Sequence, residues 1–277
     1  MSVWFVTGSS RGFGAEIVRA ALAAGHRVVA TARDPEAVRA RFLDAGEALL
    51  ALPLDVTDPA SAQAAADAAV ARFGRLDVVV NNAGRGLLGA VEEGTDEEIR
   101  ALYETNVFGV LAVLRAVLPV LRRQRSGHVL NISSVGGFAS APGWGLYAST
   151  KFAVEGYSEA LAGELAPLGV DVTIVEPGYF RTDFLDPASL ATGASVIDDY
   201  AATAGSMRSA VPGLNHAQPG DPVKAAAQIV RFGGSTNPPL RLPLGSDCVA
   251  EIERKLEHVT AELKQLRDVS LSTDFAG

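Results

Sequence analysis

Cysteine is almost missing from this 277-residue chain: Cys248 stands alone. No internal disulfide can form, which excludes a disulfide-stapled scaffold. Histidine is scarce, and His26, His128, His216 and His258 share no metal-ligand spacing, so no metal site is expected. Basic charge is in deficit: 24 Lys and Arg against 32 Asp and Glu leave a net charge of -8. Such a balance gives no electrostatic footprint for nucleic acid or an anionic membrane. The apolar runs are broken by Arg, Asp or Gly before the roughly 20 residues that a membrane span needs. The N-terminus enters an apolar strand without a basic n-region or cleavage site. A cytoplasmic protein with no nucleic-acid or membrane partner is the expectation.

What the chain has in quantity is apolar side chains, 48% of the total, enough for a sizeable core. They alternate between two patterns. Short β-branched runs predict strands at 3–7, 27–31, 49–52, 76–81, 128–132 and 170–175, with a seventh at 240–244. Alanine-rich helical runs lie between them, at 12–24, 35–45, 59–73, 96–124 and 146–167. Strand–helix alternation implies βαβ units and therefore an α/β fold with a doubly wound parallel sheet in one domain, helices on both faces. Asp221-Pro222 predicts a further helix start, and 247–268 reads as a charged amphipathic helix whose face is solvated.

Thr7-Gly8-Ser9-Ser10-Arg11-Gly12-Phe13-Gly14 ends the first strand and opens the first helix. Glycines there allow a tight turn and close approach of a ligand, and the free N–H groups of the helix suit a pyrophosphate. After the second strand, an acid would select the 2′-hydroxyl of NAD and an arginine the 2′-phosphate of NADP. Asp34 is followed by Pro35 and Glu36 and reads as an N-cap; Arg33 and Arg11 offer guanidinium groups for the phosphate. NADP(H) is the expected cofactor. Asn81-Asn82-Ala83-Gly84 closes the fourth strand, where small residues admit a flat ring and the amides brace strand ends. Ser134 follows the fifth strand, at the carboxyl edge where ligands bind in open α/β sheets. Tyr147 and Lys151 lie four apart on a helix, so phenol and ammonium share a face, and a fixed cation favours the phenolate.

Thr7-Gly8-x-x-x-Gly12-x-Gly14, Asn81-Asn82-Ala83-Gly84, Asn106, Ser134, Tyr147-x-x-x-Lys151 and Pro177-Gly178 stand in the order and at the spacings of the short-chain dehydrogenase/reductase (SDR) family, which the chain resembles from about 3 to 182. The resemblance implies a single Rossmann-type domain with a seven-stranded sheet, and a catalytic tetrad of Asn106, Ser134, Tyr147 and Lys151. Tyr147 would exchange the proton, Ser134 hold the substrate oxygen, Lys151 bind the nicotinamide ribose and lower the tyrosine pKa, and Asn106 hold a relay water. It places Gly8, Ser10, Arg11, Gly12, Phe13, Gly14 and Arg33 on the adenosine and phosphate side, Asp55 and Val56 at the adenine, Asn82, Ala83 and Gly84 along the ribose, and Pro177, Gly178, Phe180 and Thr182 at the nicotinamide. It also implies a homodimer or homotetramer paired through the helices at 96–124 and 146–167. The extension past a minimal domain, 245–277, is similar to the branch of 17β-hydroxysteroid and retinol dehydrogenases.

Residues 183–219 lack a strong period and are expected to form a lid that closes over a small-molecule carbonyl or alcohol and is poorly ordered without it. Trp144, Phe138, Tyr179 and Phe184 are candidates for an apolar pocket. An NADP(H) sensor without turnover is the alternative function, though such a protein would be expected to have lost part of the tetrad.

Overall fold

The run Val3–Thr7 (β1) is buried at all five positions, the signature of a strand covered on both faces. Its side chains alternate: Val3 and Phe5 enter one core, Trp4 and Val6 the other. The computed structural model describes residues 1–275. After β1 come α1 Gly12–Ala23, β2 Arg27–Ala32, α2 Pro35–Arg41, β3 Leu49–Pro53, α3 Pro59–Phe73, β4 Val78–Asn81 and β5 Gly86–Leu88. The chain continues through α4 Asp96–Tyr103, α5 Gly109–Gln124, β6 Gly127–Ile132, α6 Gly145–Leu165 and β7 Val170–Pro177. It ends with β8 Leu190–Thr192, α7 Ser206–Leu214, α8 Pro222–Gly233, β9 Arg241–Leu244 and α9 Ser246–Leu271.

Seven strands form one parallel sheet in the order β3-β2-β1-β4-β6-β7-β9. The order reverses between β1 and β4, which opens a crevice at their carboxyl ends, the place where ligands bind in such sheets. One core packs α3, α5 and α6 on one face, and the other packs α1 and α8 on the opposite face. Three helices start alike: Asp34, Asp58 and Asp221 accept from the backbone N–H of Glu36, Ala60 and Val223, each with proline next in the chain.

Three features depart from the sequence reading. The helix expected over 96–124 is interrupted by a π turn at Glu104–Phe108, which holds Asn106; π turns gather at functional sites. The same stretch contains a window of mean hydropathy 1.6, long and apolar enough by composition to cross a membrane, and 56% of that window is buried within the fold. The segment 183–219 also carries secondary structure that the sequence reading did not predict. β8 pairs with β5, and α7 follows. Glu93, fully buried, fastens it: its carboxylate accepts from Ala90 N at 2.7 Å and Ile197 N at 2.9 Å and pairs with Arg208. The two backbone N–H groups, more than the arginine, hold this carboxyl below the ordinary range. A three-residue strand and a nine-residue helix containing Pro212 are too short to print a period.

Candidate active site

Gly8 and Gly12 take φ of 69° and 55°, the left-handed region. A Cβ on Gly14 would lie 2.2 Å from the Gly8 carbonyl oxygen, so only glycine lets α1 close beneath the turn. The turn is braced from β4. Asn82 donates from Nδ2 to the carbonyls of Thr7 and Gly8 at 2.9 and 3.1 Å, and Thr7 Oγ1 accepts from the N–H of Asn82 and Ala83, both at 3.0 Å. Asn81 in turn donates to Asn131 Oδ1 at 2.8 Å, and Asn131 to Ser158. The bracing role read for these amides is what the structure shows.

A cavity of about 1380 Å³ runs from this turn across the sheet edge to Tyr147. It is lined by Gly8, Ser10, Arg11, Gly12, Phe13, Arg33, Asp55, Val56, Asn82, Ala83, Gly84, Ser134, Tyr147, Lys151, Pro177, Gly178, Phe180 and Thr182. Of the expected site residues, only Gly14 and Asn106 stand off the wall, each supporting a residue that lines it. Asp34 caps α2 through Glu36 N as expected. Arg11 departs in part from the sequence reading: its guanidinium donates to Ala188 O at 2.9 Å and Ser189 Oγ at 2.8 Å, so it clasps the 183–219 segment as well as lining the cavity with Arg33. Phe138 is a correction: it lies under the Arg241 guanidinium, 5.9 Å from ring centroid to carbon, while Trp144, Tyr179 and Phe184 do line the cavity.

Tyr147 is wedged between Trp144 and Phe184, with ring centroids at 5.8 and 5.4 Å. Leu185, Leu190 and Val211 from the 183–219 segment complete this apolar wall. Burial raises the Tyr147 phenol above its ordinary value, and a hydrogen bond with Ser134 offsets only part of the rise. No phenolate-favouring effect of Lys151 enters this balance, contrary to the expectation from the sequence, and the phenol is the form that carries the proton. Lys151 Nζ sits 5.7 Å from the Tyr147 ring centroid and donates to Ile132 O at 2.9 Å. Asn106 spends its amide on structure: Oδ1 accepts from Arg85 N at 2.9 Å, and Nδ2 donates to Arg85 O and Thr150 Oγ1. Its side chain thereby fixes the loop after β4.

The short chain dehydrogenase family model matches residues 2–192. This chain is a member of the short-chain dehydrogenase/reductase family. Oxidoreductase BOA17 of Botryotinia fuckeliana is 39% identical over 98% of both chains. The 3-ketodihydrosphingosine reductase of Bacteroides thetaiotaomicron is 38% identical over 87% of this chain and 86% of its own. Among solved structures, a short-chain dehydrogenase from Streptomyces avermitilis superposes with a TM-score of 0.91 at 44% identity, covering 99% of this chain and all of the other. ElxO with NADP bound (TM-score 0.74, 25% identity, 90% of this chain and 100% of the other) and a Burkholderia phymatum SDR in complex with NAD (0.81, 25%, 95% of each) share the fold. The chain is thus an NAD(P)-dependent oxidoreductase, and the glycine cradle that a single Cβ would fill fits a dinucleotide. None of these findings places it in the hydroxysteroid or retinol branch.

Next to Lys151 in this SDR lies a charged cluster that the sequence reading passed over. Arg241 on β9 faces three carboxylates: Glu155 Oε2 at 3.1 Å, Glu176 Oε1 at 3.0 Å, and Glu159. Glu155 is one helical turn beyond Lys151, and Glu176 precedes Pro177-Gly178, so one guanidinium ties α6, β7 and β9 together next to these cavity-lining residues. Burial pushes Glu176 up to about 7, helped by the Glu155 charge beside it. The helical spacing of Lys151 and Glu155 was the available signal. Also unforeseen are Asp247, Ala250, Glu251 and Arg254 of α9, which reach the cavity wall, and Gln218, buried on that wall with neither amide atom hydrogen-bonded. Asp183, Asp186 and His216 converge within 4.8 Å despite their sequence distance, with Asp186 accepting from Asn215 and paired to His216. Cys248 is buried and donates to Glu176 O, a packed thiol.

Lys151 is expected to set a pH limit on turnover. Burial lowers it to about 8, a shift the Glu155 charge resists. Above that pH the ammonium is lost, so turnover in the reducing direction is expected to fall through pH 8, with a slope approaching one decade per unit. A profile flat to pH 10 would contradict this. The same shift acts on stability with the opposite sign. The folded state holds fewer protons than the unfolded chain between about 8 and 10.5, so the cost of burying the cation is complete below 8 and fades as pH rises.

Proposed function

We propose that the enzyme is an NADP(H)-dependent carbonyl reductase or alcohol dehydrogenase for a moderately apolar ketone, aldehyde or secondary alcohol. The observation that carries this is Tyr147 packed between Trp144 and Phe184 on the cavity wall, with Ser134 and Leu185 lining the same cavity. A carbonyl oxygen seated there accepts the Ser134 hydrogen bond and receives the phenol proton as its charge develops. The nicotinamide cofactor supplies the hydride. Lys151 holds its ribose, and Pro177, Gly178 and Thr182 frame the ring. An apolar substrate agrees with the 38% identical relative, whose name is that of a ketone reductase acting on a sphingoid base.

Preference for NADP(H) rests on Arg33. With Asp34 engaged at the helix cap and Arg11 at Ala188, Arg33 is the cation at the end of β2, on the wall and near Asp55. Comparing NADPH with NADH over a panel of aromatic, aliphatic and long-chain ketones and aldehydes tests the reading. Arg33→Ala is expected to raise KM for NADPH about tenfold or more, the worth of a charge-assisted phosphate contact, and to leave NADH nearly unchanged. Preference for NADH in the unaltered enzyme would overturn the cofactor assignment. Absence of turnover on the whole panel, with NADPH bound, would favour the sensor. Exposed Phe108 and Phe152, beside α5 and on α6, support the subunit pairing those helices were expected to make.

A further inference from the structure

The last helix leaves the body of the protein. α9 is anchored over its first turns, where Cys248 is buried and Tyr179 N donates to Asp247 Oδ2 at 2.6 Å, but every residue from Leu256 to Leu271 is exposed. At 1.5 Å per residue this is a rod of about 24 Å standing in water. A helix of that length gains little from propensity alone and ordinarily owes its stability to a packed apolar face. Such a face is present and bare. Val249, Ile252, Leu256, Val259, Leu263 and Leu266 follow one another at separations of three, four, three, four and three, a seam of two and a half heptads. Leu256, Leu263 and Leu266 are each more than half exposed. The residues that line the cavity, Asp247, Ala250, Glu251 and Arg254, fall outside this seam, so covering it leaves the active site open.

We propose that the seam is covered by α9 of a second copy of this chain, running antiparallel. In that direction Leu256 meets the partner's Val259, Ile252 meets the partner's Leu263, and Val249 meets the partner's Leu266. Beside the seam, Lys255 then lies against the partner's Glu262, and the two-fold axis makes the pair twice. Opposed helix dipoles and the placing of the two bodies at opposite ends of the rod favour this direction over a parallel one, which would crowd both bodies at the same end. The helix carries more Asp and Glu than Lys and Arg, which argues against an anionic lipid surface as the occupant.

The test is the mass of the full-length protein in solution, measured by light scattering at fixed concentration. Whatever other interfaces the subunits make, Leu256→Glu with Leu263→Glu is expected to halve it, with cofactor affinity and melting temperature of the body kept. Ala261→Glu, on the outer face, is expected to leave the mass alone. Lys255→Glu should weaken the assembly about threefold to tenfold, and adding Glu262→Lys should restore it. In a parallel pair Glu262 lies beside the partner's Arg267, so the double exchange would weaken binding further. That result, an unchanged mass in the double-glutamate variant, or capture of the unaltered protein by phosphatidylglycerol vesicles through this helix would each overturn the proposal.

Discussion

Replacing Tyr147 by Phe is expected to cut kcat about a thousandfold, within the 10²–10⁴ range that a positioned proton donor contributes. The change removes one oxygen from a ring held at 5.8 Å from Trp144 and 5.4 Å from Phe184, so the packing survives. The dinucleotide cradle at Gly8, Gly12 and Gly14 is untouched. Affinity for the nicotinamide cofactor should therefore stay within about twofold, and KM should move far less than kcat, since the lost interaction is made to the transition state. Stopped-flow turnover and fluorescence titration of the cofactor separate the two quantities. If turnover falls by less than tenfold, the proton comes from elsewhere, and Ser134 with a bound water becomes the alternative donor.

Much of this arrangement was legible in the chain because its signals are local. β1, β4 and β6 are flanked by core on both faces, so Val3–Val6 and Val78–Val80 read as unbroken apolar runs. Aspartate followed by proline marks three helix starts within two residues. Tyr147 and Lys151 share a helix face one turn apart, and that spacing survives any detail of the tertiary structure. What escaped depends on partners far along the chain. Arg11 finds its acceptors at Ala188 and Ser189, 177 and 178 residues away, so a reading confined to the glycine turn assigned it to a phosphate. The 183–219 segment is ordered by Glu93, about a hundred residues earlier, through backbone N–H groups that leave no trace in the sequence. The direction of the Tyr147 shift followed the same rule: the neighbouring cation was visible four residues on, whereas the burial that sets the shift comes from Trp144, Phe184 and the wall behind them.

Arg241→Met is expected to cost stability more than any surface change in this enzyme, about 3 kcal/mol at pH 8, the lower end of what breaking a buried ion pair costs. Methionine keeps an unbranched apolar side chain there but removes the guanidinium from over Phe138 and leaves Glu155 and Glu176 facing one another without it. Glu159 is half exposed and adds little. The cost should depend on pH in a stated direction. Glu176, already lifted to about 7 from 4.5, binds its proton in the folded state before the unfolded chain does, so across that window the fold loses stability as pH rises. Without the guanidinium both carboxyls rise further, and the variant's deficit should be largest above pH 8 and shrink towards pH 5, where one or both are neutral. Thermal unfolding of both proteins across pH 5 to 9 measures this. A deficit independent of pH would mean that Arg241 contributes packing alone. Because Glu155 also faces Lys151 and Glu176 leads into Pro177-Gly178, the same variant should move the Lys151 inflection in the activity profile, an effect that a merely structural arginine would not produce.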